Sequence, residues 1–310
     1  MPLRPFQQLP FNLLPELPRV PHGWDQVHAH DTQLPDTPLG PFRMRHYVAG
    51  SGPPLVLVHG LMTGAWSWRY MIEKLGSSFT LWMPDLPGAG GSDCPDGTYR
   101  ADALADVLAT WMRANGLNGV PVIGNSLGGY VVMRMVLRHP GLVSRCVNLH
   151  SPGIPMPRLY LLRAALALPG SAALLGAMIG WSPERWVHRN VHYFDETLKS
   201  RQEARVWAEP LKNAAGRRAF WRWLRDAINP FDMRTFVSTL SRRRAVGEAF
   251  PCPLLLVYAT ADPMVPPEVG RALHALLPDA DMVWLEQASH FAHVDNPDAF
   301  VNATLPWLQA

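Results

Sequence analysis

The chain has 310 residues, 48% hydrophobic and 17% charged, which is the balance of a globular protein with a large core and unlike that of a disordered or fibrous chain. Its 28 Lys and Arg nearly offset 25 Asp and Glu, and no nucleic-acid-binding motif accompanies the net charge of +3, so no nucleic-acid partner is expected. Three widely spaced cysteines, Cys94, Cys146 and Cys252, form no C-x-x-C pair and point to reduced thiols and a cytoplasmic setting.

Prolines interrupt residues 1–25 every few positions, so this stretch has no apolar run of signal-peptide length and reads as an extended arm. Residues 26–33 and 43–48 read as an opening strand pair, followed by a strand at 55–58 (LVLV) and a helix over 66–75. Strands at 80–83, 120–123 and 146–149 then alternate with helices at 101–115 and 127–138. After a break, the alternation resumes with strands at 254–258 and 282–285 and helices at 267–277 and 297–309. Strands alternating with helices imply an α/β fold, a mostly parallel central sheet flanked by helices on both faces. Continuously apolar runs such as LVLV and LLLVY suit strands buried on both sides. The core is thus assigned to residues 26–150 and 251–310, and residues 151–250 to an inserted helical cap.

The insertion is basic, with sixteen Lys and Arg against eight Asp and Glu over 152–250. Arginine stems commonly cover apolar surface, so solvated helix faces are the plainer reading; peripheral contact with an anionic membrane is the functional one. Residues 164–181, AALALPGSAALLGAMIGW, carry no charge and approach the length of a membrane span. Pro169-Gly170 interrupts them, so two short apolar helices are expected rather than a transmembrane segment.

Chemistry is expected where the parallel strands end. After the strand at 120–123 comes Gly124-Asn125-Ser126-Leu127-Gly128, a strand–turn–helix G-x-S-x-G that would lift one serine hydroxyl above the sheet edge. A glycine-rich turn with a capping serine would look similar, so the stretch needs partners elsewhere. A serine hydroxyl needs an imidazole to take its proton and a carboxylate to hold that imidazole's tautomer. Asp262, in YATADPMVPP, and His290, in LEQASHFAHVDNP, follow later strands and complete the chain order Ser, Asp, His. The backbone N–H groups of Leu127 and of Leu61, which follows His59-Gly60, are the expected oxyanion donors. Asp85 precedes Leu-Pro-Gly and reads as a carboxylate capping loop amides; His293, close to the Pro297 helix start, reads as the packed neighbour of His290. Paired histidines at 28/30 and 188/192 lack a third ligand nearby, and no phosphate loop or dinucleotide fingerprint occurs, so neither metal nor cofactor is expected.

These pieces resemble the α/β-hydrolase superfamily: VHG at 58–60, the PDLPGAGGSD turn, GNSLGG, ADPMVP and ASHFAHVDNP. The resemblance covers residues 40–150 and 251–310 and places nucleophile, acid and base at Ser126, Asp262 and His290, with the insertion as the family's variable cap. With a helical cap, GNSLGG is similar to esterases and to hydrolases of carbon–carbon bonds in ring-cleavage products. The latter typically carry a glycine/serine-rich oxyanion loop and a Trp after the catalytic His, where this chain has HGLMTG and Phe291. The expected activity is therefore hydrolysis of apolar or aromatic carboxylic esters through an acyl-enzyme on Ser126. Carbon–carbon bond hydrolysis and a slow-turnover ligand receptor are the alternatives. Met62, Trp181, Trp221, Trp223 and Phe291 are the expected pocket residues.

Overall fold

A computed structural model describes residues 4–310. Eight strands form one sheet: β1 (His28–Leu34), β2 (Phe42–Gly50), β3 (Pro54–Val58), β4 (Thr80–Pro84), β5 (Val120–Asn125), β6 (Val143–Leu149), β7 (Leu254–Ala259) and β8 (Asp281–Leu285). Their spatial order is β1-β2-β4-β3-β5-β6-β7-β8. The β1–β2 and β2–β4 pairs are antiparallel and all others parallel. Within β3, Val56 and Val58 join one apolar cluster while Leu55 and Leu57 join the other, so the two-residue strand period feeds a core on each face.

The core helices are α1 (Met71–Leu75), α2 (Ala101–Ala114) and α3 (Leu127–Arg138). Between β6 and β7 the chain leaves the sheet and forms α4 (Pro157–Leu166), α5 (Ser171–Trp181), α6 (Pro183–Asn190), α7 (Arg201–Ala208), α8 (Ala214–Arg222) and α9 (Pro230–Ala245). It then returns through α10 (Pro267–Leu276), α11 (Ala292–Asp295) and α12 (Pro297–Gln309). The helix expected over 66–75 is split into a 3-10 turn, Ala65–Trp68, and α1. Trp66 and Tyr70 both pack on His22, Trp66 also reaching Trp207, while Trp68 turns away to His293.

The uncharged stretch supplies only the end of α4, from Ala164, and the whole of α5, so one of the two expected helices begins earlier, at Pro157, and includes Arg158 and Arg163; α4 and α5 meet at 100° across Pro169-Gly170. Among the described residues no single helix is long and apolar enough to cross a membrane. The other end of the insertion is tied down. Arg69, fully buried, pairs with Glu203 of α7 at 2.6 Å, and Tyr193 donates its hydroxyl to the same carboxylate at 2.8 Å. Residues 6–16 run along this part of the insertion, with Gln8 Nε2 donating to His188 O at 2.9 Å and Arg201 N to Pro15 O at 2.9 Å.

Candidate active site

Ser126 sits between β5 and α3 at φ 55° and ψ −126°, a backbone conformation that costs a non-glycine residue of order 1–3 kcal/mol. The turn is possible because its neighbours lack side chains. A Cβ on Gly124 would lie 2.6 Å from Gly129 Cα, and one on Gly60 would lie 2.9 Å from Ser126 Cβ. The strained turn aims the hydroxyl at His290, and Ser126 Oγ donates to His290 Nε2 at 2.6 Å. His290 Nδ1 donates in turn to Asp262 Oδ2 at 2.6 Å.

The other Asp262 oxygen accepts the backbone N–H groups of Met264 (2.7 Å) and Val265 (2.9 Å), leaving Oδ2 for the imidazole. Burial alone would raise this carboxyl, but the His290 contact and these amides hold it below the ordinary aspartate value. The acid is therefore ionised at neutral pH and fixes one tautomer of His290. Asn125 Nδ2 donates to His290 O at 3.1 Å and ties the base's loop to the serine turn.

Leu61 and Leu127 line the same cavity as Ser126 and His290, and among the described residues neither backbone N–H has an acceptor within the fold. His59 holds the Leu61 loop. Its Nδ1 donates to Gly60 O at 2.7 Å, its Nε2 accepts Leu86 N–H at 2.9 Å, and burial pushes its pKa down to about 4, so it is neutral. Asp85 accepts Ala65 N–H (2.7 Å) and Gly91 N–H (2.8 Å), binding two loops together, and is not among the residues lining the cavity over Ser126. His293 is buried against Trp68, with ring centroids 4.3 Å apart.

The structure also brings in His150, which the sequence reading left out. It follows directly on β6 at φ 54°, its ring centroid lies 5.7 Å from that of His290, and its Nε2 accepts Ala259 N–H at 2.7 Å. Burial pushes its pKa down to about 3, so the neutral ring carries its proton on Nδ1. Donor atoms of His150, Asp262 and His290 lie within 4.8 Å of one another. Their lone pairs are engaged, however: His150 Nε2 by Ala259, His290 Nε2 by Ser126, and Asp262 by two amides and His290. This donor set suits a proton relay better than a metal ion. No single residue type would have revealed His150; its signal is its place one residue beyond a strand that ends beside the elbow.

The cavity over Ser126 has a volume of about 530 Å³. Its walls are Met156, Leu159 and Leu162 of α4 and its approach, Ile228, Met264, Val265 and Phe291, with Arg158, Asn190 and His192 as polar groups. Of the expected pocket residues only Phe291 lies here. Met62 and Trp223 line a narrow adjoining recess with Phe220 and Trp207, where Trp223 Nε1 donates to Pro87 O at 2.9 Å. Trp221 faces the other way, donating to Ser171 Oγ at 3.2 Å beneath the Arg225 guanidinium, and Trp181 is 93% exposed. Those aromatic residues were expected in the pocket on composition alone, whereas helix rotation turns them to other neighbours. A larger cleft of about 650 Å³, between the ends of α9 and α10, lies at the start of β7; its thiol, Cys252, is pushed up to about 12 by burial and so stays protonated.

Sheet order, the serine elbow and the hydrogen-bonded Ser–His–Asp chain define a class, and the α/β hydrolase fold family matches residues 53–297: the chain belongs to that family and is an enzyme of the α/β-hydrolase type. It is 25% identical to a 2-hydroxymuconate semialdehyde hydrolase of Pseudomonas sp. (strain CF600) over 82% of this chain and 86% of that one. It is 28% identical to a pimeloyl-[acyl-carrier protein] methyl ester esterase of Chromobacterium violaceum over 84% of this chain and 96% of that one. Its fold is similar to that of a thermophilic esterase from Thermogutta terrifontis, with a TM-score of 0.66, 22% identity, and coverage of 90% of this chain and 98% of that one.

Proposed function

We propose that the protein is a serine hydrolase cleaving carboxylic esters with an apolar or aromatic acyl group. The observation that carries this reading is the unbroken chain of two 2.6 Å hydrogen bonds from Ser126 Oγ through His290 to Asp262, opening on an apolar-walled cavity. Ser126 Oγ attacks the ester carbonyl carbon while its proton passes to His290 Nε2. The carbonyl oxygen becomes an oxyanion accepting the N–H groups of Leu61 and Leu127, and Asp262 stabilises the imidazolium. The C–O bond breaks, the alcohol leaves with the proton from His290, and an acyl-enzyme remains. Water then adds to the acyl carbon, giving its proton to His290, and the C–O bond to Ser126 breaks to release the acid and restore the hydroxyl.

A second reading, hydrolysis of a carbon–carbon bond in a ring-cleavage product, is favoured by the polar wall of Arg158, Asn190 and His192, which would suit an anionic substrate. A panel of p-nitrophenyl esters of graded acyl length, run beside a vinylogous diketone acid, separates the two. The ester reading expects turnover that rises with acyl length. Cleavage of the diketone acid alone would replace it with the second reading. A single burst without turnover would instead indicate a receptor.

A further inference from the structure

The outer surface of the α4–α5 hairpin has no use in the chemistry above. On α4 and its C-terminal end, Leu161, Ala164, Ala165 and Leu168 are exposed at spacings of three, four and seven residues, hence on one face. On α5, Leu174, Met178 and Trp181 recur at four and seven residues on one exposed face, with Ala177 beside them. Each of the five large residues is more than half exposed. A folded surface seldom carries two such stripes on adjoining helices without a partner to cover them.

Charge says which partner. From 152 to 183 there is no Asp or Glu, Arg158 of α4 being turned to the cavity, and the exposed Arg185 and Arg189 lie on α6, which follows α5 after Ser182 alone and carries one acidic residue, the half-buried Glu184. Neither Arg185 nor Arg189 has a carboxylate within ion-pair distance among the described residues; Arg185 packs over the Phe11 ring. An apolar surface with an exposed Trp and a net cationic flank, two exposed arginines against the half-buried Glu184, is the composition of an element that lies in the interface of an anionic bilayer. The opposite side of α4, through Leu159 and Leu162, is a wall of the cavity over Ser126.

We propose that the α4–α5 hairpin docks the protein on anionic lipid surfaces, with Leu161, Leu168, Leu174, Met178 and Trp181 entering the interface and Arg185 and Arg189 facing the headgroups. The pocket wall then sits against the membrane, so substrates dissolved in the bilayer reach the cavity along α4.

The test is co-sedimentation of the full chain with phosphatidylcholine vesicles, with and without about 30% phosphatidylglycerol, at low salt and at about 0.15 M. Binding is expected to need the anionic lipid and to weaken with salt. Leu174→Gln with Met178→Gln should weaken it at least about tenfold, and Arg185→Gln and Arg189→Gln roughly fivefold each, the equivalent of about 1 kcal/mol per cation removed. Leu168→Gln with Trp181→Gln is a second, independent pair. Hydrolysis of a water-soluble ester by these variants should be unchanged, which shows that they fold. Equal binding to uncharged vesicles, undiminished binding by both folded pairs, or a dimer in solution that either pair dissociates would overturn the proposal; the last would assign the surface to a second copy of the chain.

Discussion

The two halves of the insertion meet the rest of the chain in opposite ways. Around α6 and α7 the contact surface is buried and ionic: Arg69 of the core pairs with Glu203, and the arm is laid across this part through Gln8 and Pro15. Around α4 and α5 one side is a cavity wall and the other an exposed apolar face. Ion pairs that are desolvated demand one geometry, because a displaced partner leaves a buried charge alone. Apolar contacts tolerate sliding and repacking. One half is thus an anchor, and the other keeps a cavity wall and an exposed apolar face free of such constraints.

The strand ends beneath both halves set the largest expected effect. Ser126→Ala should lower turnover by at least about 10³-fold and abolish labelling by a fluorophosphonate, with the unfolding midpoint little changed. Labelling at any other serine would move the nucleophile. Asp262→Asn should cost up to about 10⁴-fold in kcat by losing tautomer control, while Asp85→Asn should retain most activity because Asp85 only joins loops.

The same two aspartates should titrate against each other in stability. The Asp262 carboxyl is held low, so its contribution is present above the unfolded value of about 3.9 and lost as pH falls through the folded one. Burial raises Asp85 to about 6, so its contribution is present below the unfolded value and lost as pH rises through about 6. Urea unfolding of Asp85→Asn across pH 4 to 7, roughly, should lack a decline on the order of 2–3 kcal/mol that the parent shows. An equal slope in both would remove Asp85 from this role.

The anchor is tested by Glu203→Ala, which leaves the Arg69 guanidinium buried without its carboxylate and should destabilise the protein by about 3–5 kcal/mol, read from chemical denaturation. A loss under about 1 kcal/mol would mean that the two halves of the insertion are held alike. The smallest effects belong to α4. Leu159→Ala and Leu162→Ala should each shift the preferred acyl chain to a longer one, at about 0.8 kcal/mol, or roughly fourfold in kcat/KM, per methylene accommodated. Trp221→Ala and Trp181→Ala should leave that preference where it was, since neither side chain reaches the cavity.

Much of this architecture was legible from residue order. The apolar strands, the glycines around Ser126, and Asp262 and His290 just past β7 and β8 all express local rules: two-residue periodicity, the need for missing side chains at a tight turn, and chemistry at the ends of parallel strands. The sequence by itself therefore determined the sheet, the elbow and the residues able to meet above it. Tertiary structure decided the rest. That His150 lies beside His290 depends on β6 and β7 ending side by side. That Leu159 lines the cavity while Trp181 stands in solvent depends on the 100° turn at Pro169-Gly170 and on the rotation of each short helix. In an insertion where α5 is apolar nearly all round, composition names no inner face. Only the packing of neighbouring helices chooses one, because burial is a property of the whole assembly and not of any one segment.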